Sequence, residues 1–270
     1  MEATKWQGFN LENYMRLDIH LLDTITYSIF GFAGFVAISQ FFITSGASYG
    51  RYVRAGYGCY IDSRLAWFVW ELPSIVIPIV LLVFTSSPRI VQTPNRILFG
   101  CFVLHYIHRS LIYPLLIRGG KPASLVTFVF AVLFCVFNGY LQAAYFLHHA
   151  DFGEDWNRNP LFYFGLCMFF LGLFINVESD HILRTLRKPG ETGYNIPRGG
   201  LFTYVSGANF FGEILEWFGF AVANGTLPTL AFFLSTTASI APRAFSHHRW
   251  YKEKFDDYPT ERKALIPLVI

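Results

Sequence analysis

The residues of this 270-residue chain that could do chemistry lie among residues that belong in lipid. In the stretch "GANFFGEILEWFGFAVANG", Gly207 to Gly225, Glu213 and Glu216 stand three apart, on one face of a would-be helix. Glu71 lies in "FVWELPSIVIP", Arg109 in "LHYIHRSLIYP", and Glu178 and Asp180 close "FFLGLFINVESD". An ionisable group at the bilayer centre costs roughly 2.5 to 3.5 kcal/mol on insertion scales. Several together reach the order of 10 kcal/mol, comparable with the stability of a whole domain. They must pair with one another or face a shared polar cavity. A purely structural alternative has Arg109 neutralising one carboxylate and Glu178 sitting at the headgroups.

Spacing favours the cavity. Tyr106, Arg109 and Tyr113 recur at i, i+3 and i+7, and Asn176, Asp180, Arg184 and Arg187 at i, i+4, i+8 and i+11. Asn209, Glu213 and Glu216 follow at i, i+4 and i+7, and Arg243, His247 and Tyr251 repeat the stripe after the last apolar run. Three helices and a tail that each present one polar stripe can line a pocket holding both acceptors and cations. Such a pocket suits a large, anionic ligand bearing amide and hydroxyl groups better than it suits an ion. A metal is not expected: His105 with His108, and His247 with His248, lack companion ligands, and no HExxH occurs. No GxGxxG follows a strand, so a nucleotide would bind without a Rossmann unit.

The elements that must position these groups are membrane helices. At 53% hydrophobic, 19% aromatic and only 14% charged, with a mean hydropathy of +0.39, the chain is too apolar for an ordinary soluble domain. A net charge of +3 without a basic stripe or reader motif gives no reason to invoke nucleic acid. Seven apolar runs have roughly the length a bilayer needs. They are Leu21 to Ser45, Leu65 to Phe84, Ile97 to Ile117, Ser124 to Leu147, Leu161 to Val177, Leu201 to Asn224 and Leu227 to Ala241. The polar connections are short and no repeat appears, which predicts one all-α domain over residues 1–270.

Charge sets the orientation. Lys5, Arg16, Arg89, Arg96 and Arg158 fall on one side, Arg109 lies inside a span, and the rest of the 21 Lys and Arg fall on the other. The N-terminus is therefore expected outside or lumenal and the C-terminus cytoplasmic. The start, "MEATKWQGFNLENYMRLDIH", lacks the pattern of a signal peptide, so insertion is expected to rest on the spans. The tail, residues 242–270, is amphipathic and aromatic, suited to lie along the surface or tuck beneath the bundle. Cys59, Cys101, Cys135 and Cys167 form no CxxC and read as buried thiols. Pro73 and Pro78 predict a local break beside Glu71. The sequon at Asn224 abuts the membrane and is expected to be unused.

Five blocks carry a resemblance: "WELPS", "HYIHRSLIYPLLIRGGKP", "NGYLQ", "SDHILRTLRKPGETGYNIPRGGLFTYVSGANFFGEILEW" and "HHRWYKEKFDDYPTERKALIP". Together they resemble the steroid 5α-reductases, the membrane 3-oxo-5α-steroid 4-dehydrogenases. The resemblance runs from about Tyr49 to the C-terminus, leaving the first 45 residues weakly matched. It implies a seven-helix enzyme that reduces the Δ4 double bond of a 3-oxo-steroid with NADPH. It implies that Glu71 and Tyr106 address the steroid 3-carbonyl. It places the cofactor on Tyr49, Arg109, Tyr113, Asn176, Asp180, Arg187, Asn209, Glu213, Arg243, His247 and Tyr251. This chain departs from the family pattern at Ile117, where Lys121 takes the place of a nearby cation, and at Glu178, which replaces a histidine.

Physical chemistry reaches a compatible mechanism. Hydride adds to the β-carbon of an enone only if negative charge can develop on the carbonyl oxygen, so the site needs a donor there and a nicotinamide across the ring face. Tyr106 supplies that donor, and Glu71 shares its proton or bonds the carbonyl itself. The enolate then takes a proton at the α-carbon from solvent or a relayed acid. Cytoplasmic arginines would hold the pyrophosphate and the 2′-phosphate. The steroid is expected to enter a monomeric enzyme laterally from lipid, in the endoplasmic reticulum of a eukaryote or the inner membrane of a bacterium. Two other readings compete: a reductase of a polyprenol or enoyl thioester, and a seven-span transporter using its carboxylates for ion coupling. The transporter leaves the stripe of Arg243, His247 and Tyr251 unexplained. Within this reading Glu213 accepts hydrogen bonds from the nicotinamide end or holds Arg109, and Glu216 is its structural neighbour.

Overall fold

The computed structural model describes residues 11–42, 59–187 and 193–270, with side chains in the first helix described from 19 to 39. Nine α-helices follow in order among these residues: α1 (Leu11–Phe42), α2 (Ser63–Glu71), α3 (Pro73–Phe84), α4 (Thr93–Tyr106), α5 (Tyr113–Leu116), α6 (Leu125–Ala144), α7 (Pro160–Thr185), α8 (Ala208–Asn224) and α9 (Leu227–Lys254). Among the described residues four helical stretches are long and apolar enough to cross a membrane: Ile19–Ser39, Ser63–Phe84, Leu125–His149 and Pro160–Thr185. Their outward faces carry large bare side chains, such as Phe35 at 69% exposure and Phe84 at 79%. A surface of that kind belongs in lipid.

The remaining three apolar runs form helices whose bounds differ from the expected ones. α4 continues into a π-helical segment, Ile107–Ile112, before α5. α8 is only 17 residues long and contains Glu213 and Glu216. The run expected to begin at Leu201 starts as a helix seven residues later, because Tyr204 to Gly207 pairs with the C-terminal tail instead. Lys263 N–H donates to Tyr204 O at 2.9 Å, Ser206 N–H to Lys263 O at 2.9 Å, and Gly207 N–H to Ala264 O at 3.0 Å. α9 runs on past the expected end of its span at Ala241, through Pro242, to Lys254. The first part of the tail is thus helix, and only the rest folds back beneath the bundle.

The break beside Glu71 is present: α2 ends there and Pro73 opens α3, where its missing N–H is least costly. Asp62 caps α2, its Oδ1 accepting from Arg64 N–H at 2.9 Å. A two-residue ladder, β1 (Tyr60–Ile61) against β2 (Ala123–Ser124), ties the start of α2 to the start of α6.

α7 and α8 make the closest seam. A Cβ on Gly172 would collide with the Glu216 backbone, and one on Gly212 with the Asn176 backbone. Glycine at both points lets the two backbones touch, which sets Asn176 and Asp180 beside Asn209 and Glu213. Above that seam an aromatic core closes, with Phe102, Phe146, Phe162, Phe169, Trp217, Phe220 and Phe232 all nearly inaccessible.

The expectation of buried thiols holds for Cys101 and Cys135 and fails for Cys59 and Cys167, which are exposed. Cys59 precedes β1, and Cys167 faces outward from α7, where a weakly polar thiol costs little in lipid. Asn224 of the sequon turns its Nδ2 inward to Phe220 O at 2.8 Å and is 8% exposed, so the atom that would carry a glycan is not presented.

Candidate active site

Glu71 and Tyr106 come from different helices and line the same cavity of about 130 Å³, together with His105, Cys135, Glu213 and Trp217. Phe134, Phe232 and Ala131 complete an apolar wall. The end of α2 at Glu71 lets its carboxyl turn inward, where Trp70 Nε1 donates to Oε1 at 3.2 Å and the Cys135 thiol lies 3.6 Å from Oε2. Tyr106 is the last residue of α4 and only 4% exposed, its ring 4.7 Å from Phe102 and 6.2 Å from Trp217. A phenol and a carboxyl are therefore held at one end of an otherwise greasy space, an arrangement that can donate a hydrogen bond to a ligand carbonyl.

Arg109 occupies the π-helical segment just beyond Tyr106, a widened turn that re-aims the residues after it. Its guanidinium is buried, donating from Nη1 to Asp180 Oδ2 at 2.9 Å and lying 3.7 Å from Glu213 Oε2 through Nη2. Its flat faces meet Trp67 at 4.7 Å and Tyr113 at 4.6 Å. Only the planar fork of arginine satisfies two carboxylates at its edge and two rings on its faces. Glu213 thus holds Arg109 in place.

Beside this cluster Asn176 Nδ2 donates to Asn209 O at 2.9 Å, while its Oδ1 is buried and meets no donor among the described residues. The α9 stripe arrives at the same level. His247 packs edge-on against Phe210 at 5.4 Å, next to Asn209, and Arg243 and Tyr251 are buried above and below it. Tyr251 stacks on Tyr258 of the tail at 5.4 Å and 3°.

Of the expected site residues, Glu71, Tyr106, Arg109, Tyr113, Asn176, Asp180, Asn209 and Glu213 thus lie in contact or in one cavity wall. His247 reaches them through Phe210, and Arg243 and Tyr251 are buried on the same helix, Tyr251 against the tail. Arg187 is exposed at the end of α7, two turns past Asp180, and Lys121 is exposed on the loop before β2. Neither is drawn into the cluster. Tyr49 lies outside the described residues. Glu178 faces the Gly200 turn and not the Arg109 cluster.

The sequence weighs His105 only as a metal ligand and Glu216 only as the structural neighbour of Glu213, and leaves both out of the site. His105 Nδ1 and Glu216 Oε1 are 2.8 Å apart, and both side chains are essentially inaccessible. Glu216 is no bystander to Glu213; it anchors a wall of the cavity. The partners are far apart in the chain, and the only sequence signal was a second carboxylate in a span that needed just one. Trp67 and Cys135 were likewise missed, since an aromatic and a thiol in an apolar run look like core.

Outside the spans a latch holds the tail. Ser206 Oγ is 2.6 Å from both His248 Nδ1 and Tyr258 Oη, and Arg262 Nη1 donates to Pro197 O at 2.9 Å. Burial pushes the His248 imidazole below its ordinary value, and Lys252 and Lys263 push the same way. On the opposite side of the bundle Asp151 is held below the usual carboxylate range by the Gly153 N–H and then by Arg89.

The chain is similar to known proteins over most of its length. A family model described as 3-oxo-5-alpha-steroid 4-dehydrogenase matches residues 121–270. The rat protein named 3-oxo-5-alpha-steroid 4-dehydrogenase 1 is 50% identical over 257 residues, covering 95% of this chain and 98% of that protein. The human protein of the same name is 48% identical over 221 residues, 82% of this chain and 85% of that protein. Rat 3-oxo-5-alpha-steroid 4-dehydrogenase 2 is 48% identical over 227 residues, 83% and 88% of the two chains. The rat alignment is too long to begin at Tyr49, so the likeness extends into the N-terminal segment as well.

Proposed function

Because the chain belongs to the 3-oxo-5-alpha-steroid 4-dehydrogenase family, we propose that it reduces the Δ4 double bond of 3-oxo-Δ4-steroids to 5α-reduced 3-oxo-steroids with NADPH. It is an oxidoreductase acting on a CH–CH bond. The observation that carries the reading is the meeting of Glu71 and Tyr106 in one apolar-walled cavity.

The residues present fit a dinucleotide. Asn176 offers a buried carbonyl with no donor of its own, as a ligand carboxamide would require. Asp180 and Glu213 fix Arg109, Tyr113 stacks on that arginine, and Arg243, His247 and Tyr251 of α9 are proposed to take the rest of the cofactor. Asn209, Arg187, Lys121 and Tyr49 complete the proposed set. NADPH held by these residues would supply a hydride for C5.

The protein's own groups do the rest. Tyr106 donates its O–H to the C3 oxygen, and Glu71, braced by Trp70 and Cys135, bonds the tyrosine or the carbonyl and keeps that proton in place. As charge moves onto the oxygen the donor is already aimed, which is the largest contribution such a site makes. Phe134, Trp217 and Phe232 exclude water and hold the ring system. A volume of about 130 Å³ is below the roughly 300–1,000 Å³ of ordinary ligand pockets, so it is the carbonyl end of the site, and the rest opens as a steroid enters from lipid.

The full arrangement is seven spans with the N-terminus outside or lumenal and the cofactor entering from the cytoplasm into a monomer. The membrane is the endoplasmic reticulum in a eukaryotic cell and the inner membrane in a bacterium. The test of substrate class uses purified protein in detergent with NADPH and three candidates: a 3-oxo-Δ4-steroid, a polyprenol and an enoyl thioester. Loss of NADPH absorbance with a product two mass units heavier is expected from the steroid. No turnover of several such steroids, with consumption of either other substrate, overturns the reading.

A further inference from the structure

The cavity holds one titratable group that the proposed reduction has not used. Glu71 and Tyr106 address the carbonyl oxygen, the Cys135 thiol leans on Glu71, and Glu213 is engaged by Arg109. His105 remains. It is adjacent to Tyr106 in the chain, lines the same cavity, and has its Nδ1 taken by Glu216 at 2.8 Å, so Nε2 is the ring nitrogen left for a ligand. Its ring is clamped edge-on between Trp217 at 4.4 Å and Tyr106 at 5.0 Å, which fixes its direction.

Glu216 is fully buried and its Oε2 meets no donor among the described residues. A bare carboxylate oxygen in that position costs more than the carbonyl oxygen of a neutral carboxyl whose proton is shared with Nδ1. That arrangement leaves Nε2 carrying a hydrogen. The reduction needs one: after hydride reaches C5, the carbon next to the carbonyl must gain a proton, and C4 is bonded directly to the carbon whose oxygen Tyr106 holds.

We propose that His105 is the acid that protonates C4, with Glu216 as its positioning residue and proton reserve. The Nε2 hydrogen forms the new C4–H bond as the C3 oxygen returns to a carbonyl, and the Glu216 proton moves to Nδ1. The imidazole stays neutral, the negative charge ends on Glu216, and solvent later restores the proton. This rests on the proposed function, since it takes the cavity as the carbonyl end of a steroid site.

Reversibility supplies a test that needs no net reduction. The group that protonates C4 also removes a proton from the saturated product. Full-length protein with NADP⁺ and the 5α-reduced 3-oxo-steroid in D₂O is expected to wash one deuteron into C4, read by mass and NMR. His105→Gln removes the acid, and Glu216→Gln keeps a hydrogen-bonding side chain of the same size without its transferable proton. Each is expected to slow the exchange at least 10-fold, general acid–base groups contributing roughly 10²–10⁴-fold, while NADPH affinity stays within about 3-fold. Slowing of less than 10-fold in a variant that binds NADPH overturns the proposal. Loss of NADPH binding in both variants also overturns it, because that marks a scaffolding pair. A wild type that reduces the enone yet exchanges nothing at C4 overturns this step alone. One that does not reduce the enone at all overturns the proposed function with it.

Discussion

Glu213 and Glu216 sit about one turn apart on α8 and live in different worlds. Glu213 is part of an ionic cluster, 3.7 Å from an arginine that also holds Asp180 and is stacked on two rings. Glu216 is sealed in an aromatic core with a single histidine for company. One residue therefore steadies fixed charge where an anionic ligand is expected, and the other keeps a mobile proton where a neutral ring is expected. Two identical side chains take separate tasks because the elements opposite differ: the π-helical Arg109 faces one and the last turn of α4 faces the other.

If the two ends are separable in this way, they break separately. Tyr106→Phe and Glu71→Gln each lower kcat by about 10²–10⁴-fold while NADPH Kd, measured by fluorescence, stays within about 3-fold. Loss of cofactor affinity in both would erase the division. Arg109→Gln does the reverse: it raises NADPH Kd and, by leaving Asp180 with an uncompensated buried charge, destabilises the protein by about 3–5 kcal/mol in thermal unfolding. Gly172→Ala strikes the seam that aligns both ends. Overpacking there costs about 1–3 kcal/mol and is expected to lower kcat and cofactor affinity together. The smallest effect concerns the tail. His248 is depressed in the folded protein, so the unfolded latch binds the proton first, and its stabilisation is complete above the ordinary histidine value and is lost as pH falls through the folded one. Limited proteolysis after Tyr258 is expected to speed up on acidification, and His248→Asn should flatten that dependence.

Much of this was legible in the sequence where period and position carried the signal. The polar stripes of Arg109, Asp180 and Glu213 were visible because each repeats at helical spacing inside an apolar run, and Pro73 marked the turn that frees Glu71. What was hidden depended on distance or on geometry without a residue signature. The π-helical segment has no sequence flag. The His105–Glu216 contact joins residues 111 apart. The Tyr204–Gly207 stretch looked like the start of a span because it lies between the apolar Leu201–Phe202 and Phe210–Phe211, while its backbone is committed to Lys263 and Ala264. The extension of α9 past Pro242 was half legible: Arg243, His247 and Tyr251 keep helical spacing, while hydropathy ends the span at Ala241, where the helix does not end.

The central claim is that this chain delivers hydride to C5 of a 3-oxo-Δ4-steroid while Glu71 and Tyr106 hold the carbonyl intact. Purified protein supplied with NADPH deuterated at the nicotinamide C4 and such a steroid in ordinary water tests it directly. The expected product carries one deuterium at C5, in the α configuration, with its 3-oxo group unchanged. Deuterium at C3 with a new hydroxyl, or a product with no deuterium under either C4 label of the cofactor, contradicts it.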